Sequence, residues 1–227
     1  MLPMGSSEHV VASGLTKPTA FDIAADGRVF VAEQRGVNDV FDNVLDPTAS
    51  VLADPRTSVH HFWDRGLLGL VVDPAFPDRP YVYVLYDHDA PPGGLTPVWG
   101  QAGSDSDGCH PDIGRALEDG CVGATRVSRL TIDDGGAVTE TVLVGDVCTQ
   151  VPAHTGGGLA FDEQSGALYA AFCDGAWSFS GARAAGPRRS VVDAVPDHTL
   201  DPGLLGHLGG HQLHDPPVED ARHHVAR

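Results

Sequence analysis

The chain has 227 residues, 41% of them hydrophobic, and a formal net charge of −17. Lys17 is its single lysine, so no basic stripe is available for nucleic acid, and anionic membranes are equally poor partners. Twenty-eight glycines and 17 prolines favour turns and short strands over long helices, and no apolar run approaches the roughly 18–20 residues a membrane helix needs. The acidity suits an extracellular or high-salt protein that must stay soluble.

Residues 1–13 read as an N-terminal extension. MLPMGSSEHVV lacks the charged segment and apolar core of a signal peptide. Next comes PTAFDIAADGRVFVAEQRG (18–36): an apolar strand, an Asp-Gly turn and a second apolar strand. Val37 to Asp42 and Ala49 to Ala53 follow as a more polar outer pair. The pattern recurs in GLLGLVVDPAFPDRPYVYVLYDHD (66–89), where near-continuous apolar runs predict strands buried on both faces. Each such unit ends in a polar or charged residue.

Residues 88–124 interrupt the second unit. They carry PPGG, SDSDG, Cys109 and Cys121, and read as a long surface loop of a length that is uncommon unless functional or stapled. A Cys109–Cys121 disulfide is expected, worth roughly 3 kcal/mol by loop entropy, and it implies an oxidising compartment. The cysteine spacing fits no zinc motif. Asp105, Asp107, Asp112 and Asp119 do not have the spacing of an EF-hand; a solvated acidic loop explains them better than calcium binding. VSRLTI (127–132) and AVTETVLV (137–144) flank Asp133-Asp134-Gly135-Gly136, a strong hairpin signal. His60-His61-Phe62-Trp63 reads as loop packing.

The third unit, HTGGGLAFDEQSGALYAAFCDG (154–175), is a hairpin with a histidine at its entry and Asp174-Gly175 at its exit. Pairing the strands brings His154 and Asp174 to one sheet edge. A carboxylate beside an imidazole orients the ring and raises its basicity for proton abstraction. The competing readings are a strand-capping histidine and an ordinary Asp-Gly turn. Four strands per recurring unit signify a β-propeller: all-β, with two complete blades and the inner half of a third. From Ser180 to Arg227 the chain has no Phe, Tyr, Trp, Ile or Met but holds His198, His207, His211, His214, His223 and His224. Residues 180–227 therefore read as an irregular tail, disordered or out of frame, rather than a histidine metal site.

Residues 10–179 resemble the soluble quinoprotein glucose/sorbosone dehydrogenases, six-bladed propellers that use pyrroloquinoline quinone (PQQ). The resemblance rests on Gly14-Leu15-Thr16-Lys17-Pro18, on Asp64-Arg65-Gly66-Leu67-Leu68-Gly69-Leu70 with Asp73-Pro74-Ala75-Phe76, and on His154, Gly157, Leu159, Phe161, Asp174 and Gly175. HFWDRGLLGL and CTQVPAH are closer to actinobacterial secreted sugar dehydrogenases.

The resemblance implies a propeller domain over 14–179 and an enzyme that oxidises an aldose or related sugar. His154 would be the general base, and Asp174 the acid that holds it. Asp64 and its neighbour Arg65 would lie near substrate and cofactor. PQQ, calcium and an external electron acceptor are implied, with secretion. Cys173 stands where the family has Gly, so Cys148 and Cys173 are expected to stay unpaired. Nothing after Phe179 resembles the later blades that supply quinone-binding cations and calcium ligands, so the chain reads as a fragment. The alternative is a non-catalytic propeller module that binds carbohydrate or a protein partner.

Overall fold

A computed structural model describes residues 6–109, 121–150 and 152–173. All of them belong to one unit, Met1–Ala194. Among the described residues every regular element is a strand, and no helix is long and apolar enough to cross a membrane.

The strands are β1 (Pro18–Ile23), β2 (Val29–Glu33), β3 (Asn38–Phe41), β4 (Ser50–Ala53), β5 (Leu67–Val72), β6 (Tyr81–His88), β7 (Gly123–Ile132), β8 (Val138–Thr149), β9 (Gly158–Phe161) and β10 (Leu168–Ala171). They form two four-stranded antiparallel meanders, β1-β2-β3-β4 and β5-β6-β7-β8, and the pair β9-β10. These are the two complete blades and the inner pair of a third that the repeat predicts. The turns are those of the sequence. In the Asp133–Gly136 turn, the Asp133 carboxylate accepts from the N–H groups of Gly135 and Ala137, and Gly136 takes φ +81°.

β7 and β8 run longer than their hydrophobic cores, reaching back to Gly123 and on to Thr149. The extension forms because β7 pairs with the whole of β6, out to His88↔Ala124, with bulges near Thr125 and Val127 that keep it in register with β8. The 88–124 segment does leave the blade between β6 and β7, and Cys109 and Cys121 are bridged, with Cα atoms 5.4 Å apart. Asp89, buried, anchors the near side of this segment by accepting from the N–H groups of Val98, Trp99 and Gly100.

The second blade is buried on both faces, which is why its sequence is so continuously apolar. Val82, Val84 and Tyr86 of β6 pack with Phe30, Ala32, Leu67 and Leu70 into the core shared with the first blade. Leu85 faces the other way, with Val127, against Ala170, Leu159 and Leu168. Tyr83 meets Phe161 edge-on, ring centroids 5.2 Å apart. The period of two along one strand thus serves two interfaces. Polar stitches cross between blades: Thr19 Oγ1 donates to the Leu67 carbonyl at 2.6 Å and the Val72 N–H to Asp22 at 2.8 Å. Glycine permits the closest approach. A Cβ on Gly69 would lie 2.6 Å from the Gly157 carbonyl oxygen.

Candidate functional site

The innermost strands β1, β5 and β9 are each entered through a residue with left-handed backbone. Lys17 has φ 51°, Trp63 φ 55° and His154 φ 58°. Side chains with a Cβ rarely adopt this region, at roughly 1–3 kcal/mol each, unless the surroundings impose it. At Lys17 and Trp63 the surroundings are tied together by Gln34. Gln34, just after β2, donates its backbone N–H to the Lys17 carbonyl and its side-chain amide to the carbonyls of Trp63, at 2.8 Å, and Arg65, at 3.1 Å. Its own carbonyl accepts from the Leu67 N–H. Gly66, φ +153°, is forced: a Cβ there would sit 2.2 Å from that carbonyl oxygen.

The same loop reaches the third blade. The Asp64 N–H donates to the Pro152 carbonyl at 3.1 Å, and the Thr155 hydroxyl donates to the Asp64 carbonyl at 3.2 Å. Asp64 and His154, singled out separately in the sequence, are therefore neighbours across a blade junction, and both are exposed. Trp63 is exposed beside them at 52%. The β9–β10 hairpin also has the predicted geometry. Gly158 pairs with Ala171, and the Gly157 N–H donates to the Ala171 carbonyl, so the His154 segment runs alongside Phe172. Asp174 lies outside the described residues.

Arg65 differs from its neighbour. It is fully buried, and its guanidinium donates to the carbonyls of Cys121 and Thr149, to the Thr149 hydroxyl at 2.9 Å and to His60 Nδ1 at 3.0 Å. It ties the loop before β5 to the disulfide and to the end of β8. Burial and the adjacent guanidinium push His60 down to about 3, which leaves a neutral ring able to accept at Nδ1. Its Nε2 faces the Gly108 carbonyl at 3.4 Å. His60, Cys109 and Cys121 come within metal-ligand reach of one another, but the two sulfurs are spent on the disulfide. Cys148 and Cys173 are free and exposed.

Two residues that sequence reasoning passed over join this site. Asp87, next to the last residue of β6, is fully buried, accepting from Thr125 Oγ1 at 2.9 Å and the Gly66 N–H at 3.3 Å. Burial pushes its carboxyl up to about 7, with Arg65 and its hydrogen bonds opposing. Thr155 bonds the Asp64 carbonyl. The signal for Asp87 was present: an aspartate next to the end of an eight-residue strand that is apolar up to Tyr86. In the inserted segment, Asp105 holds Arg35 and Arg56 at 2.9 and 2.8 Å, and Asp107 accepts the His61 N–H at 2.7 Å. Asp112 and Asp119 lie outside the described residues, as do His207, His211 and His214.

Residues 15–185 match the glucose/sorbosone dehydrogenase family. Among solved structures, a Thermus thermophilus oxidoreductase described as a glucose dehydrogenase is 26% identical, with a TM-score of 0.51 over 72% of this chain and 39% of its own. The PQQ-bound aldose sugar dehydrogenase of Streptomyces coelicolor is 16% identical, with a TM-score of 0.52 over 74% of this chain and 41% of its own. The chain thus spans about two-fifths of the length of these structures. No curated protein matches it.

Proposed function

This chain belongs to the glucose/sorbosone dehydrogenase family, and from that premise we propose that its protein oxidises an aldose or related sugar with PQQ as redox cofactor and His154 as general base. The observation that carries the reading is the junction of Asp64 and His154. Two loops, one entering β5 and one entering β9, are bonded together at an exposed edge. The structure of a PQQ-bound aldose sugar dehydrogenase with the same fold supports the choice of cofactor. The disulfide supports secretion.

The part of the reaction these residues carry is proton removal. A sugar hydroxyl gives up hydride from its carbon only as its own proton leaves, and an imidazole suits that step near neutral pH. The left-handed backbone at His154 fixes where the ring starts from. Asp174, on the neighbouring strand exit, is proposed to hold the ring. When bound, the quinone supplies the two-electron acceptor, with an external acceptor to reoxidise it.

Three arginines near this junction are not offered to the quinone. Its three carboxylates call for placed cations. Arg65 is buried and committed, and Arg35 and Arg56 already hold Glu33, Asp54 and Asp105. Asp64 is acidic and exposed, so its proposed place is beside the sugar rather than beside the carboxylates, with Arg65 holding it there. The cations, and calcium, are assigned to residues beyond those described.

The test is reconstitution with PQQ and calcium, followed by dye reduction with glucose and other aldoses. It is run on this chain and on a version extended by a relative's later blades. Turnover in the extended protein is expected, with little in this chain alone. A folded extended protein that binds aldose but never reduces dye would overturn the enzyme reading in favour of a binding module.

A further inference from the structure

The chemistry above makes no use of Trp63, yet the chain holds this residue in unusual geometry. A bulky side chain rarely accompanies a left-handed backbone. At Trp63 φ is 55°, and Gln34 holds the residue there by donating its side-chain amide to the Trp63 carbonyl at 2.8 Å. The ring is braced from the inside. It stacks on Phe62, with centroids 6.0 Å apart and planes inclined by 26°, and Phe62 stacks on His60 at 6.1 Å and 22°. His60 is fully buried and fastened to Arg65 at 3.0 Å. One side of the indole is thus backed by protein, while the residue stays 52% exposed. Trp99 provides the contrast: it is half-buried, and its indole N–H donates to the Val122 carbonyl at 3.1 Å. The Trp63 indole N–H has no such acceptor among the described residues.

We propose that Trp63 is the stacking platform for the sugar: its open indole face takes the C–H face of a pyranose, while the Asp64 carboxylate accepts from hydroxyls at that ring's edge. The proposal rests on reading Asp64 and His154 as the sugar site, and it adds the residue that orients the substrate there. A pyranose has a polar rim of hydroxyls and two faces that carry axial C–H groups. Those C–H groups bear partial positive charge and suit the negative face of an indole, and both surfaces shed water on contact. A carboxylate has oxygens enough to accept from two adjacent hydroxyls. Trp63 and Asp64 are consecutive, and the Asp64 N–H and carbonyl are tied to Pro152 and to Thr155, the neighbour of His154. A sugar seated on Trp63 is therefore held at the edge where its hydroxyl proton is to be removed. The face laid on the indole is the one away from the C–H bond that breaks, because that hydrogen must stay open to its acceptor.

The test is saturation-transfer NMR on the full chain with D-glucose as probe, which detects sugar protons held against the protein and needs no cofactor. In the wild type, transfer to the axial C–H protons is expected, strongest on the ring face opposite the anomeric proton. Trp63→Gly removes the ring, and glycine takes φ 55° freely, so the loop keeps its backbone. Transfer should then fall several-fold, with the buried Leu130 amide of β7 as monitor of the fold. Trp63→Phe keeps a smaller ring and should retain part of the signal. In the reconstituted extended protein, Trp63→Gly should raise KM about tenfold and leave kcat nearly unchanged, the mark of lost substrate binding rather than of a disturbed loop. Saturation transfer no different between wild type and Trp63→Gly would overturn the proposal, whatever the turnover. The enzyme reading fails on other evidence: an extended protein that binds glucose through Trp63 but never reduces dye keeps the platform and loses the dehydrogenase.

Discussion

Thr155 donates its hydroxyl to the carbonyl of Asp64 at 3.2 Å, across 91 residues of sequence. This bond joins the entrance of the second blade's inner strand to that of the third. Around it the Pro152 carbonyl takes the Asp64 N–H, and Gly69 and Gly157 bring the two backbones together below. The edge is therefore held by local geometry that can be broken one residue at a time.

Gly69 is the packing element. A methyl group there would meet the Gly157 carbonyl oxygen at 2.6 Å and Leu85 at 3.2 Å. Gly69→Ala should force β9 away from β5 and destabilise the unit by about 1–3 kcal/mol. Urea unfolding with a lowered midpoint and an unchanged slope checks this. A wild-type midpoint would show that β9 yields without strain.

Arg65 is the electrostatic tie. Arg65→Met leaves the Cys121 and Thr149 carbonyls without their donor and Asp87 without its nearest cation. The loss of one partner from a buried charged network costs about 3–5 kcal/mol. Arg65→Lys should recover only part of it, since an ammonium does not span the same acceptors. Urea midpoints order the three proteins: wild type, Lys variant, Met variant.

The disulfide should be intact in protein made under oxidising conditions. Peptide mapping without reduction should recover Cys109 linked to Cys121, with Cys148 and Cys173 alkylated directly. Removing the bridge by Cys109→Ser with Cys121→Ser should cost roughly 3 kcal/mol. Free Cys109 and Cys121 in secreted protein would contradict this.

Asp87 and His60 act oppositely on stability against pH. Folded Asp87 titrates near 7, against 3.8 for an ordinary aspartate, so between about pH 4 and pH 7 the native chain holds a proton that the unfolded chain has lost. Stability from this group falls as pH rises through that window. Folded His60 titrates near 3 against 6.5, so the unfolded chain holds the extra proton and stability rises with pH over about 3 to 6.5. The two slopes largely cancel. Asp87→Asn removes one of them, so its stability relative to wild type should improve by a few kcal/mol from about pH 4.5 to pH 7. A constant difference would place the Asp87 titration outside this range.

The blades were legible because their signals are local. Apolar runs, Asp-Gly turns and the two-faced burial of β6 all show in residue order. The β9–β10 register followed from the hairpin, while Asp174 at its exit lies outside the described residues. Arg65 shows where such reading stops. Its motif places it beside Asp64, yet the chain turns it inward to bond residues 56 and 84 positions away. No spacing rule reports a contact of that range. Asp87 left a local trace, an aspartate in an apolar strand, but its partners Gly66 and Thr125 come from a separate loop and strand that residue order does not report. The left-handed backbone at Lys17, Trp63 and His154 carries no residue signature either, because none is glycine or asparagine.

The most direct test of the central claim is kcat at saturating aldose for the reconstituted extended protein and its His154→Ala variant. Loss of a general base lowers turnover by about 10²–10⁴-fold. The account predicts a fall of that size, with PQQ binding unchanged and the Asp64 amide still protected. Equal turnover in His154→Ala, with the quinone bound, would show that the proton leaves by another route and that His154 is not the base.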